Sequence, residues 1–216
     1  MDMSENVVSE PKTGIEFVSI LTFKHQSSSP NSQVLAGVGF KGLNIINIKT
    51  VKIYAFGFYI EAKGLVDQLS TKYRSFSLEQ LKASTELFED LLRHDLEMTV
   101  RLVVHYKGLK AGMVRSAFDT SLRNRLRKIK GEEDDDGLDI FSSYFSDSLP
   151  LTRGTTIDFQ WMQGGRLRTE VNGKLIGVIY SSNFCRALFD IYIGDPPVSL
   201  RAKQEIAEKI YQLFKS

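Results

Sequence analysis

Residues 50–61 constrain the fold most, because they predict a β-strand with no face suited to water. Their sequence, TVKIYAFGFYIE, is apolar or aromatic at both sets of alternating positions. One set contains Ile53 and Ala55, and the other contains Tyr54, Phe56 and Phe58. Since successive side chains of a strand point to opposite faces, this strand must be covered on both sides.

The rest of the chain alternates between strand-like and helix-like patterns. Strands are predicted at 15–23, 33–40, 97–106, 155–162, 165–171 and 174–180, with a hairpin turn at Asn172-Gly173. Helices are predicted at 78–92, 110–129, 183–191 and 198–214, the first with Ser77 as its N-cap. An antiparallel sheet with helices gathered on one face is an α+β fold. We expect one domain over residues 13–216, preceded by a disordered polar segment at 1–12.

Composition and spacing exclude several classes of protein. The 28 Lys+Arg nearly balance the 26 Asp+Glu, so the total charge indicates no nucleic-acid partner. Cys185 is the single cysteine and is expected as a packed thiol rather than a disulfide partner or nucleophile. The histidines share no ligand-like spacing, and no apolar run reaches the roughly 18 residues that a membrane-spanning helix needs. We therefore expect no metal, no cofactor and no transmembrane segment.

A basic stretch runs from Arg123 to Lys130 and is followed by the acidic tract EEDDD at 132–136. The basic residues are interpreted as lying in the solvated last turns of a helix, where cations interact favourably with the C-terminal end of the helix dipole. The acidic tract is interpreted as a solvated loop.

The candidate site lies on the strand that contains residues 33–40 and on the strand that follows it. Alternation places Gly37, Gly39 and Lys41 on one side of the first strand, and the two glycines are expected to leave room in front of the ammonium group. If the two strands pair, Lys41 and Tyr54 converge on one anionic group. Alternatively, Lys41 extends along a sheet edge and Tyr54 donates to a backbone carbonyl. Spacing alone leaves both interpretations open.

Three segments resemble the chalcone isomerase superfamily: LAGVGFKGLNI, IKTVKIYAFGFYIE and SSNFCRALFDIYIGDPPVS. The resemblance runs in order from about residue 13 to residue 214. It implies an open-faced β-sandwich, in which a large antiparallel sheet lies under a layer of helices with a ligand cleft between them.

The resemblance also favours a non-catalytic member of the superfamily over an isomerase. The chain departs from the isomerase pattern at Lys41, Tyr54, Met113, Thr120 and Ile191, which match the positions of catalytic residues. The ring closure needs a phenolate held by a cation and an ordered water beside the enone. Met113 and Ile191 could provide neither the proton nor the orientation.

The fatty-acid-binding branch of the superfamily fits better. By this resemblance, Lys41 and Tyr54 hold the carboxylate of a free fatty acid, and Ser121 is a third hydrogen-bonding contributor. The branch has arginine at the position of Lys41, so the cation loses its planar bidentate geometry here. The chain has 14 Phe and 8 Tyr, and part of this aromatic content is expected in the cleft. The expected lining comprises Val38, Phe56, Phe58, Met113, Ala117, Phe118 and Thr120.

The sequence thus predicts a non-catalytic protein that binds free fatty acids, with saturated chains of medium to long length expected. It does not determine the oligomeric state, and a monomer is assumed. The resemblance places it in the plastid stroma, with a transit peptide absent from this chain, or alternatively in the cytoplasm. Two other functions stay open. One is an interaction protein that enhances flavonoid synthesis and has a solid interior, and the other is an active chalcone-flavanone isomerase.

Overall fold

The computed structural model describes residues 6–23, 31–45, 49–130 and 135–216. The strands are β1 Val7–Ser9, β2 Glu16–Val18, β3 Ile20–Phe23, β4 Asn31–Ile45, β5 Lys49–Ile60, β6 Met98–Val104, β7 Thr156–Met162, β8 Arg166–Val171 and β9 Lys174–Tyr180. The helices are α1 Ala62–Tyr73, α2 Leu78–Ala83, α3 Thr85–Arg93, α4 Ala111–Lys130, α5 Asp135–Tyr144, α6 Ser182–Ile193 and α7 Leu200–Lys215.

Strands β3 to β9 form one antiparallel sheet in which each strand pairs with the next along the chain. Strands β1 and β2 form a separate antiparallel pair. The hairpin between β8 and β9 turns at Asn172-Gly173 as predicted, and these two residues have positive φ angles, 50° and 75°. The predicted α+β fold, a large antiparallel sheet covered by helices, is confirmed.

Strand β5 is covered on both faces, as its sequence required. On the helix side, Phe58 is fully buried and packs edge-on against Phe189 of α6. On the other side, Ala55 is buried together with Val38 and with Phe17 of β2. The β1–β2 pair therefore acts as the second cover.

Four local features differ from the sequence prediction. The helix predicted at 78–92 is two helices, because Ser84 leaves the helical conformation and its side chain caps the backbone N–H of Leu87. Ser77 does cap α2, in a capping box with Gln80. Helices α1 and α5 were not predicted. Strand β1 lies inside the segment predicted to be disordered, whose residues 1–5 are outside the described part of the chain.

Gly37 and Gly39 do not leave open space, contrary to the prediction. A Cβ atom on Gly37 would lie 2.8 Å from the backbone oxygen of Ala202 in α7. A Cβ atom on Gly39 would lie 2.7 Å from the ring of Phe56. The missing side chains are replaced by α7 and by an aromatic ring, so the two glycines permit close packing rather than a cavity.

Candidate functional site

A cavity of about 530 Å³ lies between α4 and the ends of β4 and β5, a volume within the usual range for ligand sites. Most of its wall is apolar and consists of Leu43, Ile53, Leu109, Met113, Val114, Ala117, Phe118, Ile191 and Val198. The polar lining residues are Lys41, Tyr54, Thr120, Ser121, Asn124 and Arg125. All five positions at which the resemblance contrasts this chain with isomerases line this one cavity.

Lys41 and Tyr54 are direct partners in the β4–β5 register, so their side chains leave the same face of the sheet as neighbours. The register shifts at this pair, because Gly42 is the partner of Lys52 and leaves Ile53 as an extra residue in β5. A bulge of this kind re-aims side chains, and Ile53 lines the cavity together with Tyr54. Lys41 is exposed at the cavity mouth.

Tyr54 is kept as a neutral phenol. Burial raises its pKa to about 12, and the Tyr192 hydroxyl beside it lowers the value by a smaller amount. Tyr192, on α6, is fully buried, and its hydroxyl makes no hydrogen bond of standard geometry with the described residues. Phe56 holds the Tyr192 ring from the sheet side, with the ring centroids 5.0 Å apart. A neutral phenol at the wall of an apolar cavity is suited to donate a hydrogen bond to an anion.

Helix α4 forms the opposite wall. Phe118 is fixed there by the rings of Phe141, Phe145 and Phe159, at centroid distances of 5.5, 6.2 and 5.5 Å. The Thr120 hydroxyl donates to the backbone oxygen of Ser116 at 3.0 Å, which leaves its oxygen able to accept.

Arg125 is the residue that sequence reasoning missed. It was assigned to the solvated basic stretch, but its side chain is only 15% exposed and lines the cavity. Its Nη1 donates to Ser121 Oγ at 2.9 Å, and its Nε lies 2.8 Å from Asp190 Oδ2. Residues four apart share a helix face, so the position of Ser121 was the signal that could have located Arg125.

Three predicted lining residues lie outside the cavity. Val38 points to the opposite face of the sheet, where it packs with Phe17 and Ala55. Phe56 and Phe58 do face the helices, but both are fully buried, because Gly39 admits the Phe56 ring and α6 covers Phe58. Met113, Ala117, Phe118 and Thr120 line the cavity.

Neither a metal centre nor a membrane span is found in the described part of the chain. Its histidine, cysteine, aspartate and glutamate side chains nowhere gather in threes as a metal site would need. None of its helices combines the length and apolarity needed to cross a bilayer.

An antiparallel sheet under a helical layer, with an amphipathic cavity between them, defines a class of ligand-binding α+β proteins. The profile of the chalcone-flavanone isomerase family matches residues 15–213. The chain belongs to this family, which confirms the resemblance found in the three sequence segments.

The similar proteins include two from Arabidopsis thaliana. Fatty-acid-binding protein 2 is 45% identical over 95% of this chain and 51% of its own length. Fatty-acid-binding protein 1 is 30% identical over 98% of this chain and 73% of its own length. The chain thus spans about half the length of the first of these relatives. The crystal structure of the Arabidopsis thaliana fatty-acid binding protein AtFAP1 superposes with a TM-score of 0.85 at 30% identity, covering 98% of this chain and 100% of that one.

Proposed function

We propose that this protein binds free fatty acids in the cavity, with the carboxylate held by Lys41 and Tyr54. The observation that carries this proposal is the lining, which is mostly apolar and includes the cation Lys41 and the phenol of its register partner Tyr54. The two similar proteins named for fatty-acid binding support the same ligand class.

The apolar wall would provide most of the affinity. Each methylene group moved from water to an apolar wall contributes about 0.8 kcal/mol. A carboxylate that enters the same space loses its hydration and must be paired and hydrogen-bonded. Lys41 offers a positive charge and Tyr54 a neutral O–H donor, so the head group fixes the orientation of the ligand.

We further propose that the cavity does not catalyse chalcone cyclisation. The side chains of Met113 and Ile191 line the cavity and have no group that moves a proton or orients a water molecule. In a cyclisation assay, the protein should give the rate of buffer alone. A protein-dependent rate that saturates with chalcone would contradict this proposal.

A purely protein-binding role is less consistent with the structure. The flavonoid-enhancing alternative predicts a solid interior, whereas this chain has a cavity of about 530 Å³. The cavity therefore favours a small ligand.

Binding is tested by titrating delipidated protein with dodecanoate, hexadecanoate and octadecenoate in a calorimeter. We expect saturable binding of one acyl chain per cavity, with affinity that depends on chain length. The Lys41→Ala, Tyr54→Phe double variant should bind more weakly, whereas Lys63→Ala removes an exposed lysine of α1 outside the cavity and should have no effect. Wild-type protein that binds none of the three acids would refute the function, and an unchanged double variant would refute the clamp.

The proposed setting is the plastid stroma and its fatty-acid metabolism, which rests on the resemblance of the sequence segments. Fractionation of the source tissue, followed by immunodetection, tests it directly. Detection in the cytosolic fraction alone would favour the alternative location.

A further inference from the structure

Arg125 brings a second cation into the cavity wall, and this cation is held more rigidly than Lys41. Lys41 is exposed to solvent. The Arg125 side chain is 15% exposed and is fixed from three directions. Ser121 lies one turn earlier on α4, Asp190 belongs to α6, and the backbone oxygen of Pro196 accepts from Nη2 at 3.2 Å.

These contacts leave the guanidinium with donor capacity. An arginine has five N–H donors in a planar fork. Nη1 and Nη2 each carry two hydrogens. Nη1 donates to Ser121 Oγ at 2.9 Å and to the Ser121 backbone oxygen at 3.4 Å, and Nη2 donates to the Pro196 oxygen. Nε lies 2.8 Å from Asp190 Oδ2 but without standard hydrogen-bond geometry. The group is therefore oriented by its neighbours, and its second Nη2 hydrogen has no acceptor among the described residues and remains available to an anion.

The polar groups near Arg125 have unsatisfied hydrogen-bonding capacity. The Tyr192 hydroxyl is buried and makes no hydrogen bond of standard geometry with the described residues. Burial raises its pKa, and the charge of Arg125 opposes this with a smaller effect. Tyr192 in turn lies beside Tyr54. Arg125, Tyr54 and Ser121 all line the cavity, so an anion at Tyr54 lies in the field of Arg125 as well as of Lys41.

We propose that Arg125 is the specificity-determining cation of the cavity and selects an acid over a neutral acyl chain, with Lys41 as an outer charge at the mouth. This inference rests on the proposed fatty-acid-binding function. A fixed fork pairs with a carboxylate in a defined geometry, whereas an exposed lysine acts as a mobile and well-hydrated charge. Arg125 thereby restores the planar fork that lysine at position 41 lacks.

The test compares dodecanoate with dodecanol, which have the same tail and differ in the charge of the head group. Wild-type protein should bind dodecanoate more tightly. Arg125→Gln should reduce the affinity for dodecanoate by about tenfold or more and leave that for dodecanol nearly unchanged. The matched control is Arg123→Gln, because Arg123 lies on the same helix, pairs with Asp119 and does not line the cavity.

A second variant covers the case in which Arg125→Gln does not fold. Asp190→Asn keeps the shape of the side chain but removes the carboxylate that shares the charge of Arg125. Dodecanoate should then bind more tightly than to wild-type protein, with dodecanol unchanged. A merely structural Arg125 predicts the opposite, because loss of the α4–α6 ion pair would weaken both ligands alike.

The outcomes separate this inference from the proposed function. If folded Arg125→Gln keeps the wild-type preference for the acid, Arg125 is not the selecting cation, although the cavity still binds fatty acids. If wild-type protein binds neither ligand, the proposed function fails and this inference fails with it. Loss of the preference in Arg125→Gln, with its retention in Arg123→Gln, would support the assignment.

Discussion

Replacement of Gly39 by alanine should destabilise the protein although it adds only one methyl group. The new Cβ atom would lie 2.7 and 2.8 Å from two ring atoms of Phe56 and 3.0 Å from Cβ of Ala202. Carbon atoms in good contact are about 3.5–4.0 Å apart, so something must move by most of an ångström. Phe56 is fully buried and packs against Tyr192, which leaves the ring little room.

Overpacking of this kind costs about 1–3 kcal/mol, and we expect about 2 kcal/mol because both neighbours of the methyl group are held by packing. For a chain of this size, that cost lowers Tm by about 4–8 °C. Differential scanning calorimetry measures Tm, and urea unfolding measures the free energy of unfolding independently. Gly112→Ala is the matched control. Gly112 lies in the first turn of α4, where alanine is neutral or stabilising, and its new Cβ atom would lie 3.4 Å from Asp147 Oδ1.

A double mutant isolates the contact. Removing the ring in Gly39→Ala, Phe56→Leu should make the combined destabilisation smaller than the sum of the two single effects. The reasoning is refuted if Gly39→Ala unfolds at the wild-type temperature, or if the two changes are simply additive. Either result would mean that the ring does not occupy the place of the missing side chain.

Three further outcomes can be checked on the same material. Tyr54→Phe should weaken dodecanoate binding by about tenfold without lowering Tm, since a donor to a charged acceptor is lost. Equal affinity of variant and wild type in calorimetry would rule out the phenol as a donor. Burial alone would raise the pKa of Asp90, but hydrogen bonds from Lys72 and Tyr73 outweigh it and the pKa lies below its ordinary value of 3.8. The stabilisation by ionised Asp90 is therefore present above that value and lost as pH falls through the folded-state pKa. Below pH 4, the free energy of unfolding of Asp90→Asn should fall less steeply than that of wild type. Parallel pH curves of the two proteins would argue against a stabilising Asp90 carboxylate. Cys185 is fully buried and burial raises its pKa to about 12, so a thiol reagent should label it only in unfolded protein; rapid labelling of the native protein would contradict this burial.

The sheet and the faces of its strands could be predicted from the sequence because both depend on a period of two. Tyr54, Phe56 and Phe58 do share one face, and Gly39 and Lys41 lie opposite Phe56 and Tyr54 in the register. Neighbouring strands in the chain are neighbours in this sheet, so no long-range information was needed to pair them.

What fills the space beside a strand could not be predicted in the same way. The atoms that occupy the place beside Gly37 belong to Ala202 and Ile206, far away in the sequence. A pattern of alternating residues indicates the buried face but does not identify the element that covers it. For this reason, Phe56 was expected in a cleft and is found in a closed core.

Arg125 illustrates a different limit of prediction from the sequence. Its basic neighbours suggested a solvated helix end, and charge patterning gave no reason to separate one arginine from the rest. The helical spacing from Ala117 to Ser121 to Arg125 did contain the answer, since all three line the cavity. Periodicity was a better guide than composition here, because a helix exposes only part of its circumference.

The position of the cavity follows from where α7 begins. Ser199 caps the helix, and its first turns are fixed to β4 because Val38 N–H donates to Glu205 at 3.0 Å and Arg201 donates to the Val38 oxygen at 3.3 Å.

Over Gly37 and Gly39, therefore, α7 and Phe56 close the core. Two register pairs further, at Lys41 and Tyr54, the sheet is bulged, and Val198, which precedes the helix, lines the space instead. The same two glycines that were expected to open a site close the core beside it. They bound the cavity on its core side, with Gly39 two register pairs from the lining residues Lys41 and Tyr54.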